Sequence, residues 1–185
     1  SNKDIQSYTT TIRGQKITFV GYHEFAHQGL DTVLNDIKVA KEGGSFVVVY
    51  PHWGEEYKKL ANKTQVDTAH AFIDSGADLI LGSHPHVVQD IEIYKGKAIF
   101  YSLGNFIFDQ GNHGPTSEGL SVGVHITDTE VSYYLFPISI RVAQASLMPH
   151  KERDIMLADI ANKSNLRGDI QSQIKLGKFI LKNNF

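Results

Sequence analysis

Hydrophobic positions along this chain follow more than one period, and each change of period predicts a different kind of element. The run Lys16 to Gly21 has the β-branched and aromatic content of a buried strand and follows a turn at Arg13-Gly14-Gln15. Leu30, Val33, Leu34 and Ile37 then keep helical spacing, with Gly43-Gly44 as the stop. Phe46-Val47-Val48-Val49-Tyr50 is a continuous apolar run, as in a strand covered on both faces, and it ends at Pro51-His52. Residues 64–75 return to the helical period through Val66, Ala69, His70 and Ile73. Thr64 with Asp67 predicts a capping box there, and Gly76 closes the helix. Ala77 to Leu81 gives a further short buried strand. Strand, helix, strand in this order predicts a βαβ unit with parallel strands.

From Val87 the period falls to two. Residues 87–94 and 97–103 predict a hairpin around Lys95-Gly96, and residues 119–127 and 131–142 a second antiparallel pair around Asp128. Residues 151–163 read as a helix, whereas 171–181 are ambiguous between helix and strand. The fold class is therefore α/β, a parallel unit followed by antiparallel strands.

Composition narrows the chemistry. The chain has 185 residues, 41% hydrophobic and 21% charged, enough for one core. A formal net charge of -2 with interspersed signs argues against a nucleic-acid surface, which needs clustered Lys and Arg. No apolar run reaches the roughly 18 residues of a membrane span. With no cysteine, disulfides and thiolate zinc sites are excluded, so His and carboxylates are the only candidate metal ligands. Ser1-Asn2 reads like a cloning scar, and residues 1–15 are expected to be an extension, with the natural protein continuing upstream.

Three histidines stand at strand ends. His84-Pro85-His86 follows one predicted strand, and Pro85 biases His84 toward extended geometry, which would turn both imidazoles to one side. His52 ends the preceding strand. If the two strands lie side by side, roughly 5 Å apart, the three imidazoles meet at the carboxyl edge of the sheet, where open α/β folds bind ligands. Neutral imidazoles there suit a divalent metal such as Mn, Fe or Zn. The plainer alternative is that they only satisfy local hydrogen bonds.

Other residues draw structural readings. His70 is a packed side chain on the helix stripe, and His27, His113, His125 and His150 lack partner spacing. His23, which also follows a strand, is a weaker candidate. Asp78 precedes its strand and Glu55-Glu56 follow His52-Trp53-Gly54, so none is placed like a bridging ligand. Glu56 is read as a helix-start or surface residue that could touch His52 from a second shell.

The segments His52-Trp53-Gly54-Glu55-Glu56-Tyr57, Gly76 to Gln89 with Gly82-Ser83-His84-Pro85-His86, and Tyr101-Ser102-Leu103-Gly104-Asn105-Phe106 resemble, in this order and spacing, the bacterial capsule synthesis proteins of the CapA type. Those are associated with poly-gamma-glutamate and are similar to the calcineurin-like metallophosphoesterases. The resemblance covers roughly residues 16–110. It implies part of a four-layer α/β/β/α sandwich, with residues 16–147 as the carboxyl-terminal part of the domain and 148–185 as a helical or mixed tail packed on it. It also implies a two-metal centre in the complete domain, to which His52, His84 and His86 contribute as metal ligands, with His84 and His86 carried over as catalytic residues. The family's earlier motifs would precede Lys16, so the chain alone is expected to bind metal poorly and to be inactive. Asn105 belongs to the family string, but Gly104-Asn105 is also ordinary turn chemistry, and the structural role is favoured.

The function implied is capsule or poly-gamma-glutamate biosynthesis, by a metal-dependent, phosphoesterase-like hydrolase. The alternative is a non-catalytic accessory or polymer-binding component of a membrane capsule synthase or export complex. Expected partners are an anionic cell-surface polymer or its precursor, and the synthase subunits. The expected location is extracytoplasmic, with an anchor upstream of residue 1.

Overall fold

A computed structural model describes residues 7–26, 29–109 and 114–183. Six strands form the first sheet: β1 (Ser7–Ile12), β2 (Gln15–His23), β3 (Phe46–His52), β4 (Leu79–Leu81), β5 (Ile91–Tyr94) and β6 (Lys97–Phe100). Their order is β1-β2-β3-β4-β6-β5, in which β2, β3, β4 and β6 run parallel and the two edge strands antiparallel. Helices α1 (Leu30–Glu42) and α2 (Lys63–Asp74) make the crossovers between β2, β3 and β4. The second sheet contains β7 (Glu118–Ile126), β8 (Glu130–Arg141), β9 (Gln144–Leu147) and β10 (Lys178–Lys182), all antiparallel, with β8 at its centre. Helices α3 (His150–Lys163) and α4 (Gly168–Lys175) lie between β9 and β10 in the chain.

The continuous apolar strands are explained by two cores. Val47 and Val49 of β3, Ile80 of β4 and Ile99 of β6 face α1 and α2, where they pack on Val33, Ile37, Ala69 and Phe72. Alternate residues Phe46, Val48, Leu79, Leu81, Ala98 and Phe100 face the second sheet and meet Val131, Tyr133, Leu135 and Phe179. Met156, Leu157 and Ile160 of α3, with Ile170 and Ile174 of α4, join that same core. Each fully buried aliphatic side chain stabilises the fold by about 1.5–3 kcal/mol. The α/β class read from the sequence is observed, a parallel section followed by antiparallel strands. Among the described residues, no helix is long and apolar enough to cross a membrane.

Several local expectations are corrected. Residues 7–12, expected in an extension, form the edge strand β1, paired with β2 through a two-residue turn at Arg13 (φ 50°) and Gly14 (φ 86°). The positive φ at both positions gives the hairpin the twist its strands require. The capping box of α2 is built by Asn62 and Gln65 rather than Thr64 and Asp67: the Gln65 N–H donates to Asn62 Oδ1 at 2.9 Å, and the Asn62 N–H to Gln65 Oε1 at 3.0 Å. The ambiguous stretch 171–181 is both things in turn, the end of α4 and then most of β10. Strand β9 was not foreseen.

At the amino-terminal edge of the sheet, Asp78 is fully buried. Its carboxylate accepts from the Val47 N–H at 3.0 Å, from Lys41 Nζ at 2.9 and 3.0 Å, and from Lys97 Nζ at 2.7 Å. It is a structural ion cluster and not a ligand position, as its place before the strand indicated.

Candidate metal centre

The histidine cluster is delivered by the register of the parallel strands. His23 at the end of β2 lies opposite His52 at the end of β3, and His52 forms a parallel bridge with Ser83, one residue beyond the Gly82 that follows β4. The imidazole centroids are 4.7 Å apart for His23 and His52, 4.7 Å for His52 and His84, and 5.9 Å for His84 and His86. The three predicted residues thus converge, and His23, the weaker candidate, joins them. His52, His84 and His86 are half-buried, while His23 is exposed.

The local geometry at His84 and His86 differs from expectation. They do not share a face of an extended segment: His84 has φ 98° and His86 φ 60°, within a bend. Non-glycine residues in the left-handed region cost about 1–3 kcal/mol each and persist only where the surroundings enforce them. Here the enforcement is visible. The Trp53 N–H donates to Ser83 O at 3.1 Å and the Tyr57 N–H to Pro85 O at 2.8 Å, zipping the bend to the loop after β3. Trp53 anchors that loop: its ring is buried against Phe72, and its Nε1–H donates to Tyr101 O at 2.8 Å. The approach requires a glycine at 82, where a Cβ would fall 2.0 Å from Tyr101 O.

A second anchor sets residues 55–60. The Gln65 Nε2–H donates to Gln89 Oε1 at 2.9 Å, and Gln89 Nε2 donates to the Lys58 and Leu60 carbonyls at 3.0 Å each. This loop carries Glu56, read from the sequence as a helix-start or surface residue; α2 begins only at Lys63, and Glu56 is an exposed surface residue. Glu56 Oε1 instead lies 3.9 Å from His86 Nε2, and Glu56, His84 and His86 offer ligand atoms all within 4.8 Å of one another.

Asn105, for which a structural role is expected, is buried and hydrogen-bonded on both sides of its amide. Its Nδ2 donates to Thr116 O at 2.8 Å, which orients the amide so that Oδ1 accepts from His86 Nδ1–H at 2.9 Å. That bond leaves the His86 Nε2 lone pair available, the arrangement that second-shell partners give metal-ligating histidines. Glu56 and Asn105 could have been proposed only from their presence in the motif strings, since neither has a spacing signal. A groove of about 390 Å³, lined in part by Tyr50, Ser83, Leu103 and Asn105, opens beside the cluster.

Electrostatics favour a neutral imidazole at His52. Burial, followed by the neighbouring His84, His23 and His86, pushes His52 below the ordinary imidazole value. Neutral imidazole is the form that coordinates a metal. Two imidazoles and one carboxylate, Glu56, His84 and His86, lie close enough to share a divalent ion such as Mn, Fe or Zn, with the His52 ring beside them, 4.7 Å from that of His84. His70 lies outside the cluster. It bonds Glu92 through Nε2 at 2.9 Å and stacks on Tyr94 at 3.7 Å, while the Tyr101 hydroxyl donates to the same Glu92 carboxylate. His125 lies in β7 and His150 opens α3; His27 and His113 lie outside the described residues.

Parallel strands ending in imidazoles, backed by a second antiparallel sheet, define an α/β protein with a histidine cluster at the carboxyl edge of its sheet, the edge where open α/β folds bind ligands. Residues 2–110 match the model of the bacterial capsule synthesis protein family PGA_cap, and the chain belongs to that family. The match begins upstream of the residue 16 expected from the motifs. The chain is similar to the PGA biosynthesis protein CapA of Bacillus subtilis (strain 168), with 55% identity over 75 residues, 40% of this chain and 20% of that protein. It is also similar to the capsule biosynthesis protein CapA of Bacillus anthracis, with 45% identity over 102 residues, 53% of this chain and 25% of that protein. A probable polyglutamine synthesis accessory protein of Mycobacterium tuberculosis (strain CDC 1551 / Oshkosh) is 34% identical over 79 residues, 43% of this chain and 21% of that protein. The chain therefore spans about a fifth to a quarter of these relatives.

Proposed function

We propose that this chain is part of a capsule or poly-gamma-glutamate biosynthesis protein with a metal-dependent, phosphoesterase-like hydrolase site. The observation that supports it most is the grouping of Glu56, His84 and His86, with the His52 ring 4.7 Å from that of His84, at the carboxyl edge of the parallel sheet. The names of the Bacillus relatives supply the pathway. His52, His84 and His86 would hold the metal, Glu56 would offset its charge, and Asn105 orients His86. A divalent ion bound there supplies Lewis acidity toward a phosphoryl or carbonyl oxygen and a water nucleophile at neutral pH. In the complete domain this reading includes a second ion, an anionic polymer or its precursor as substrate, and an extracytoplasmic location.

A second reading, a non-catalytic accessory component, is favoured by the name of the mycobacterial relative, an accessory protein. One experiment separates the two. The full-length protein is equilibrated with manganese or zinc, and bound metal is measured together with turnover of a phosphodiester and of a γ-glutamyl peptide. Bound metal with turnover, both lost in His84→Ala and His86→Ala, supports the hydrolase; no metal and no turnover leaves the accessory role.

A further inference from the structure

We propose that Ser83 is a positioning residue for this site: its hydroxyl accepts a hydrogen bond from His52 Nδ1–H and so holds His52 in the tautomer whose Nε2 can bind a metal. The inference rests on the metal-dependent reading above and gives His52 the kind of partner that Asn105 is to His86. Register brings the two groups together. Ser83 pairs with His52 in the parallel bridge just beyond β4. The Ser83 N–H donates to Pro51 O at 2.9 Å and the Trp53 N–H donates to Ser83 O at 3.1 Å, so the backbone is tied on both sides of His52. Gly82 fixes the residue before, its N–H donating to Phe100 O at 2.8 Å and its carbonyl accepting from the Leu103 N–H at 3.0 Å. This pairing sets Ser83 Oγ 3.5 Å from His52 Nδ1.

Counting protons gives the direction of that contact. A hydroxyl has one proton to donate and two lone pairs, and a neutral imidazole carries its proton on one nitrogen only. Ser83 Oγ–H donates to Pro51 O at 3.1 Å, the shorter of its two contacts. The contact with His52 is then an N–H donating to Oγ, which puts the His52 proton on Nδ1 and the lone pair on Nε2. His86 is held in the same sense, its Nδ1–H donating to Asn105 Oδ1 at 2.9 Å. Both rings neighbour His84, with centroids 4.7 and 5.9 Å from it. At 3.5 Å the His52 bond is long, as hydrogen bonds of a site often are before its ligand is bound. Partners of this kind fix the ring orientation and tautomer of metal-ligating histidines.

The test has a metal-free arm and a metal arm. Long-range proton–nitrogen NMR of the metal-free chain, at about pH 8.5 and so above the ordinary imidazole pKa of about 6.5, reads each tautomer directly. His52 is expected with its proton on Nδ1 in the parent and in Ser83→Thr, which keeps the hydroxyl. In Ser83→Ala, where Nδ1 loses its acceptor, the proton should move to Nε2, while His86 keeps its own on Nδ1 through Asn105. A parent His52 protonated on Nε2, or a His52 tautomer unchanged in Ser83→Ala, overturns the inference whatever the metal does and leaves Ser83 only its structural bond to Pro51 O. In the second arm, manganese alone is titrated into the full-length parent, Ser83→Ala and Ser83→Thr. Ser83→Ala should bind it at least about tenfold more weakly, the loss expected when the partner of a ligating histidine is removed, and Ser83→Thr within about threefold of the parent. Equal affinity in Ser83→Ala and the parent overturns the inference. A parent that takes up no manganese even at millimolar metal overturns the functional reading, and the NMR result tells that failure apart from this one.

Discussion

Replacing Asp78 with alanine should destabilise the fold without touching the histidine cluster, because Asp78 lies at the opposite edge of the sheet. Its carboxylate has no exposed surface and holds three partners: the Val47 N–H, Lys41 and Lys97. Alanine leaves the buried Val47 N–H without its charged acceptor, a loss of about 1.5–3 kcal/mol. It also strands two ammonium groups; those are 31% and 18% exposed and can turn partly to water, so the total should sit near the 3–5 kcal/mol of a broken buried pair. For a chain of this size about 1 kcal/mol shifts Tm by roughly 2–4 °C, so a fall of roughly 6–20 °C is expected. Asp78→Asn keeps an oxygen for the Val47 N–H and loses only the ion pairs, so it should cost clearly less. Urea unfolding followed by circular dichroism measures both. A cost below about 1 kcal/mol for alanine, or equal costs for the two variants, would refute the reasoning, since surface pairs alone contribute that little.

Asn105→Ala should weaken manganese binding by about 10–100-fold, because it frees the His86 ring to rotate and to change tautomer; calorimetric titration against the parent checks this. Gly82→Ala should unfold the chain or cost several kcal/mol, since its Cβ would meet Tyr101 O at 2.0 Å and Trp53 Nε1 at 2.7 Å; soluble yield and Tm are the readouts. Asp90 is raised above the ordinary carboxyl value, mainly by burial, against the opposing hydrogen bond from the Ala61 N–H at 2.8 Å. Its native state therefore holds a proton more tightly than the unfolded chain does. The stabilisation is present below the unfolded value of about 3.8 and is lost as pH rises through the raised native value. Asp90→Asn keeps the bond from Ala61 and should remove that loss, so its stability relative to the parent should rise with pH across this window in urea titrations.

The sequence made the scaffold legible wherever hydrophobic pattern and burial coincide. Residues 46–50 and 79–81 are apolar because the first sheet is covered on both faces, and that continuity alone placed His52 at a strand end and His84 shortly after one. Strand β1 was illegible for the converse reason: Ser7 to Ile12 lies at a sheet edge with mostly exposed side chains, so burial imposes little alternation on it. Its turn, Arg13-Gly14, was the usable signal. The site was legible in its residues but not in its backbone. The positive φ of His84 and His86 accompanies the Trp53 and Tyr57 hydrogen bonds, to Ser83 and Pro85, which join two loops distant in sequence, and no local preference encodes it. Glu56 and Asn105 reach the cluster by the same kind of long-range closure. The capping box moved because Asn62 and Gln65 also serve the loop they cap, through Gln89, a constraint that lies outside the helix.

The central claim is that His52, His84 and His86 together hold one divalent-ion site. Titrating paramagnetic manganese into the chain while following the imidazole NMR signals tests it most directly. Signals of those three rings, and of His23 4.7 Å from His52, should broaden first, while those of His70, His125 and His150 stay sharp. Broadening spread evenly over all the histidines, or centred on His70 beside Glu92, would contradict the account.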